Sequence, residues 1–193
     1  MNEKLPPGQH EIPAILRWNI DHPGIIPENP EIDLENWTIM VDGEVEKPIT
    51  LSWHDFLQLP SIEVKSDFHC VEGWSVRKLR WLGVKFNTLV HMVKPKKSAK
   101  HVLFRCSDGY TTFLDLRALF EENVLLSYKL NGKWLEASLG GPLRLVVPNK
   151  YAYKSAMWIE RITFTKQISF GYWEKRKYSY TADVWKNDRF SGR

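Results

Sequence analysis

Residues 124–137 read VLLSYKL, then Asn131-Gly132, then KWLEA. An Asn-Gly pair between apolar runs is the strongest short-range hairpin signal, because a two-residue type I′ turn needs positive φ at both central positions. A lone hairpin is barely stable in water, so this one must join a larger sheet. The neighbouring runs can supply that sheet. WTIMVDG (37–43) alternates as a half-buried strand, and SIEVKSDFHC (61–70) is a strand that delivers Cys70 at its end. HVLFRC, YTTFLDL, PLRLVVP and MWIERITFT read as further short strands. Helices are few and short. In PITLSWHDFLQLP, Ser52 stands three residues before Asp55 as an N-cap pair, and Pro60 stops the helix. VKFNTLVHMV runs from a strand end into a small amphipathic helix, and LRALF makes a helical turn or two. The expectation is a mixed, β-rich α+β domain.

The first 35 residues differ. LPPGQHEIP and DHPGIIPENPEID are rich in proline, which fixes φ and removes backbone donors. Residues 1–35 are therefore expected to form an extended arm, packed down by Ile15, Leu16, Trp18, Ile25 and Ile26 on a single domain of residues 36–193. WEKRKYSYTADVWKNDRF is expected to drape over the surface at the other end.

Composition sets the outer bounds. Of 193 residues, 43% are apolar and nine are Trp, enough for an aromatic core, which excludes wholesale disorder. The 27 basic and 23 acidic residues leave +4, too little to argue for nucleic acid. Two cysteines cannot make a disulfide scaffold, the N-terminus lacks a secretory pattern, and no apolar run approaches membrane-spanning length. The expectation is a cytoplasmic protein with reduced thiols and no transmembrane segment.

On the residues alone, several assignments stay open. Cys106 ends an apolar strand and reads as a small buried hydrophobe. Cys70, beside His69 and Glu72, is either another such residue or a ligand. Zinc is not indicated: the two cysteines are 36 positions apart, and His69 would face away from Cys70 on a strand. KPKKSAKH (94–101) reads as a solvated loop, without the interleaved aromatics of a nucleic-acid site. In GGPLRLVVPNKYAYKS (140–155), Arg144, Lys150 and Lys154 follow a glycine-rich turn; they suit either an anionic group or ordinary ion pairs.

Taken together, VDGEVEKPITLSWHDFLQLP, DFHCVEGWS, RWLGVKFNTLV, CSDGYTT, LNGKWL, GGPLRLVVPNKYAYKSAMW and YWEKRKYSY, in this order, resemble the molybdopterin domain of the sulfite-oxidase superfamily, specifically its short prokaryotic members. The resemblance implies a sulfite-oxidase-type fold and a single pterin dithiolene carrying molybdenum, with Cys70 as the metal's protein ligand. One soft thiolate suffices when the cofactor brings the other sulfur donors. It further implies that Arg144, Lys150, Lys154 and Ser155 face the pterin phosphate. Arg17, Asn19 and His22 of the arm would contact the pterin, and Asp108 and Tyr110 would lie near the pocket, with Trp74 and Tyr110 the candidates for lining the substrate entrance.

Three departures stand out. Relatives that oxidise sulfite carry arginines soon after the cysteine, where this chain has Trp74 and Ser75; CVEGWS is more similar to the methionine-sulfoxide-reductase branch. Leu139 replaces a histidine before the GGP turn, and Met157 replaces a basic residue. The implied activity is two-electron oxygen-atom transfer to or from a small S-oxide or N-oxide rather than sulfite. The chain ends without the family's dimerisation or haem domain, so a separate electron donor or acceptor protein is implied. The alternatives are a family-fold binding protein with a decayed cofactor site, and a nucleic-acid-binding β-rich domain resting on the lysine run.

Overall fold

Short alternating runs leave the chain two sheets to fill, and it fills them by turns. β1 (His10–Glu11) lies in the first sheet, and β2 (Thr38–Gly43) and β3 (Ile49–Ser52) lie in the second. β4 (Ser61–His69) and β5 (Trp74–Lys85) return to the first, and β6 (His101–Cys106) and β7 (Thr111–Asp115) to the second. β8 (Leu125–Leu130), β9 (Lys133–Trp134) and β10 (Arg144–Val146) complete the first, and β11 (Ile159–Thr165) the second. Three short helices connect them: α1 (Trp53–Leu57), α2 (Phe86–Val93) and α3 (Leu116–Leu119). This computed structural model describes residues 4–191; the first three residues of the arm and the last two of the domain lie outside the described residues. Among the described residues, no helix is long and apolar enough to cross a membrane.

The local signals act as their chemistry requires. Asn131 and Gly132 both take positive φ, 50° and 82°, and close the β8–β9 hairpin with Lys129 opposite Trp134. Ser52 and Asp55 form a reciprocal capping box that starts α1. The second sheet runs β3-β2-β11-β6-β7, with β11 parallel to β2 and antiparallel to β6. Its buried face (Ile39, Val41, Phe104, Ile162, Phe164) meets Val84, Leu126 and Leu145 of the first sheet and Phe86, Leu89 and Val93 of α2 in one core. Cys106 is 2% exposed within it.

The element that positions the site is the β4–β5 hairpin. β4 runs antiparallel to β5 from Ser61 opposite Val84 to His69 opposite Ser75. The sequence shows only the end of β5, from Val84, because Arg77, Lys78 and Arg80 interrupt its apolar pattern. In the structure that interruption is a bulge. Lys78 has φ 56°, the pairing shifts between Ser66 and Phe68, and the Asp67 carboxylate accepts the Lys78 N–H at 2.8 Å. The hairpin ends in four residues, Cys70 to Gly73. Cys70 N–H donates to the Trp74 carbonyl at 2.8 Å, and Gly73 N–H donates to the Cys70 carbonyl at 3.1 Å. Gly73 has φ 106°, and a Cβ there would sit 3.1 Å from the Gly8 carbonyl, so glycine is required for both the turn and the close approach.

The arm does more than cover the domain. β1 adds to β5 in parallel, pairing His10 with Trp74 and Glu11 with Ser75. At the other end, Ala182 and Val184 bury against Tyr151 and pin the C-terminal segment.

Candidate functional site

Cys70 sits at the first position of the hairpin turn, and beside it lies a cavity of about 150 Å³. That is roughly ten times the space one water needs. The thiol donates to the Glu72 carboxylate at 3.8 Å. Burial, reinforced by Glu72, pushes the Cys70 thiol up to about 12. The sulfur is therefore a neutral thiol at physiological pH until a cation offsets both effects.

Five segments distant in sequence build the walls. The arm supplies Trp18, Asn19 and His22, and the hairpin supplies Phe68, Cys70, Glu72 and Trp74. The loop after β6 supplies Asp108 and Tyr110. Arg144, Ser155 and Trp158 come from β10 and the segment after it, and Trp173 and Tyr178 from the C-terminal stretch. The lining is mostly aromatic and apolar. Asn19 and Trp158 hold positive φ, 57° and 49°, a backbone strain that only a well-determined surrounding sustains.

Arg144 is the exceptional wall residue. It is 3% exposed, its guanidinium donates to the Leu139 carbonyl at 2.7 Å and the Ser155 carbonyl at 3.3 Å, and its Nε makes no hydrogen bond. It lies 5.0 Å from the Phe68 ring centre, and no carboxylate pairs with it among the described residues. Burial alone pulls its pKa from 12.5 to about 9. It remains charged at neutral pH, so burial opposes folding at every pH below about 9, and the penalty fades only as pH rises towards 12.5. An anion entering the cavity would offset it.

Other expected residues fall into two groups. Trp74 lines the cavity and donates its indole N–H to Glu72 at 3.2 Å. Asp108 lines it with its pKa raised by burial, its carboxylate accepting the Tyr110 N–H at 2.9 Å. Tyr110 presents its ring only, because its hydroxyl donates to the Tyr153 carbonyl at 2.5 Å. Asn19 commits its amide to the arm: it donates to Asn29 at 3.2 Å and accepts the Gly24 N–H at 2.8 Å. His22 reaches across to Glu72, Nε2 to Oε1 at 2.8 Å, with Nδ1 2.8 Å from the Pro23 carbonyl. Burial lowers the His22 pKa, but Glu72 and the carbonyl outweigh it and the net shift is upward. Ser155 Oγ accepts the Val147 N–H at 3.2 Å.

Three residues that the sequence groups with these stand elsewhere. Arg17 pairs with Asp21 at 2.8 Å on the surface. Lys150 lies 3.9 Å from Asp183. Lys154 is fully buried, bonded to Glu174 and to the Phe113 carbonyl at 2.9 Å. The cause is local: residues 152–154 form a single 3-10 turn, which aims Tyr153 and Ser155 at the cavity and Lys154 away from it. His69, on the opposite face from Cys70, is buried, 2.7 Å from Ser75. Sequence reasoning missed Glu72, Trp158, Trp173 and Tyr178 as wall residues. Only Glu72, two residues from Cys70 in a short turn, carried a readable signal.

The donor set can be tested against a metal. Among the described residues, no three of His, Cys, Asp or Glu converge on one point. A metal at Cys70 would have to bring its remaining donors with it, and the unpaired Arg144 beside the same cavity suits an anionic carrier. The residues therefore fit a metal delivered on an anionic, sulfur-donating organic ligand.

Residues 26–173 match the family described as the oxidoreductase molybdopterin binding domain. The chain is 36% identical over 188 residues to the uncharacterized oxidoreductase YuiH of Bacillus subtilis, covering 97% of this chain and 92% of that protein. It is also 36% identical over 170 residues to the protein-methionine-sulfoxide reductase catalytic subunit MsrP of Campylobacter jejuni, spanning 78% of this chain but only 57% of the relative. Among solved structures, the sulfane dehydrogenase SoxCD of Paracoccus pantotrophus shares the fold, with a TM-score of 0.67 at 18% identity. That match covers 77% of this chain and 42% of the SoxCD chain.

Proposed function

The chain belongs to the family of oxidoreductase molybdopterin-binding domains, and on that premise we propose that Cys70 is its metal ligand and that its substrate is a neutral S-oxide. The observation that carries this reading is the juxtaposition, on one aromatic-walled cavity, of the Cys70 thiol with an unpaired buried arginine.

When bound, the molybdenum–pterin group supplies oxygen-atom transfer, by which an S-oxide takes two electrons and two protons and leaves as sulfide and water. The chain's own residues do the rest. Cys70 would release its proton to solvent as the cation displaces it, and its thiolate would hold the metal from the protein side. Arg144 would meet the anionic end of that group, and Ser155 helps fix the guanidinium through its carbonyl. Trp74, Trp173 and Tyr178 exclude water and favour an uncharged substrate over a small dianion. Asp108 lines the same wall, its pKa raised by burial. The relative named as a methionine-sulfoxide reductase supports the S-oxide class. Electrons would come from a separate carrier protein, and the two unpaired thiols favour the cytoplasm as its compartment.

Protein purified from a molybdopterin-making host should carry about one molybdenum per chain and oxidise a reduced viologen when given a methionine S-oxide, but not when given sulfate. A colourless, metal-free protein with no such turnover would instead support a binding protein that retains the fold.

Arg144 offers a second test. Arg144→Met removes a buried unpaired charge, which offsets the lost donor to the Leu139 and Ser155 carbonyls, so the apoprotein should melt within a few degrees of the parent. Cofactor occupancy should fall about tenfold or more, the worth of a charge-assisted hydrogen bond of about 1.5–3 kcal/mol. Unchanged molybdenum content in the Met variant would remove Arg144 from the site.

A further inference from the structure

We propose that Arg189 and Gln9, at opposite ends of the chain, are positioning residues that lock the Cys70 turn in the geometry a metal needs. The inference rests on the reading of Cys70 as the ligand and extends it to residues that do not touch the cavity.

A hairpin tip is ordinarily one of the looser parts of a fold. Here each of the four turn residues is gripped from outside the hairpin. Gln9 Nε2 donates to the Cys70 carbonyl at 3.1 Å. The Arg189 guanidinium donates to the Val71 carbonyl at 2.6 Å and, with its other terminal nitrogen, to the Gly8 carbonyl at 2.8 Å. The Glu72 carboxylate meets His22, and the Gly73 carbonyl accepts the His10 N–H at 2.8 Å. Arg189 thus ties the arm to the turn directly.

Both clamps are themselves held. The Asn187 side-chain oxygen accepts the Arg189 Nε–H at 2.8 Å, and the Arg189 carbonyl accepts the Ser179 N–H at 2.9 Å. The Ser75 hydroxyl donates to the Gln9 side-chain oxygen at 2.9 Å and lies 2.7 Å from His69 Nδ1. The Cys70 carbonyl can only accept, so it is the Gln9 amide nitrogen that faces it. The contact with the arm is close: a Cβ on Gly8 would come within 2.7 Å of the Arg189 guanidinium.

Two carbonyls some distance apart call for a planar fork, which lysine lacks. Groups that hold a metal's ligand typically matter 10–100-fold to metal affinity, although they never touch the metal.

The test uses Arg189→Lys, Arg189→Ala and Gln9→Ala in the full chain, with Lys186→Ala on the same segment as control. In the apoprotein, Cys70 alkylation by iodoacetamide, read peptide by peptide at fixed pH well below the melting transition, should accelerate several-fold in all three variants and not in the control. In protein loaded with molybdenum cofactor, the thiolate-to-metal absorption band should shift, and molybdenum retention on gel filtration should fall about tenfold. Should Arg189→Ala fail to fold, Arg189→Lys carries the comparison. A lower melting temperature with alkylation and absorption band both unchanged would overturn the proposal. The alkylation readout needs no metal, so a protein that loosens its Cys70 turn without ever binding molybdenum would uphold the clamp and refute the function.

Discussion

Cys70→Ser is expected to abolish turnover while leaving the fold intact. Serine has nearly the same size, and the position is half-buried at a turn, so neither packing nor backbone is disturbed. The chemistry changes completely. A hydroxyl is a hard, weakly acidic donor, whereas the proposed metal already carries soft sulfur ligands and requires a soft anion. Even the thiol is held protonated, near pKa 12, by burial and by Glu72; an alcohol starts from far higher and is less readily ionised by the same cation. Activity with an S-oxide should fall by more than about a hundredfold, beyond the loss from removing a group that merely supports a ligand. The thiolate-to-metal absorption band should vanish. Cys106→Ala is the matching control, because Cys106 is sealed in the core and its loss should lower stability without removing the band. Retention of full activity in the Ser variant would end the case for Cys70 as the ligand.

The second large effect is on stability. Glu174→Gln should cost about 3–5 kcal/mol, the usual penalty for stripping one partner from a buried ion pair. The Lys154 ammonium and the Glu174 carboxylate are essentially inaccessible to water, and the Thr112 hydroxyl donates to the same carboxylate at 2.7 Å. Burial pulls the Lys154 pKa down and Glu174 pushes against it; without Glu174 the effect of burial is left largely unopposed. For a chain of this length the melting midpoint should drop by roughly 10 °C. Lys154→Met combined with Glu174→Leu should recover most of that loss, since a well-packed apolar pair often replaces a buried ion pair without cost. If Glu174→Gln melts within a degree or two of the parent, the pair is not the anchor its burial indicates. The anchor bears on the site: it ties the C-terminal stretch carrying Trp173 and Tyr178 to the turn that aims Tyr153 and Ser155 at the cavity.

Signals that act over a few residues were legible in the sequence. Asn131-Gly132 demanded positive φ twice and obtained it, Ser52 and Asp55 capped α1, and β4 delivered Cys70 to a turn, because each depends on backbone preferences and bonds between near neighbours. Arg144 was legible as a cation on a buried strand, but whether it had a counter-ion was not. β5 was largely hidden, since its three basic residues break the apolar alternation, which the structure accommodates with a bulge at Lys78. Lys150 and Lys154 looked equivalent to Arg144 until a single 3-10 turn rotated Lys154 into a private ion pair and Lys150 settled near Asp183.

The sequence by itself thus determined most of the strands, the short-range turns and the delivery of Cys70 to one of them. Only the tertiary structure decided what surrounds that cysteine. Gln9, Arg189 and His22 meet the Cys70 turn across 50 to 118 positions of chain, and Trp173 and Tyr178 close the cavity from the far end. Such meetings follow from how two sheets pack and where the chain ends return over them, and no local pattern of residues encodes that.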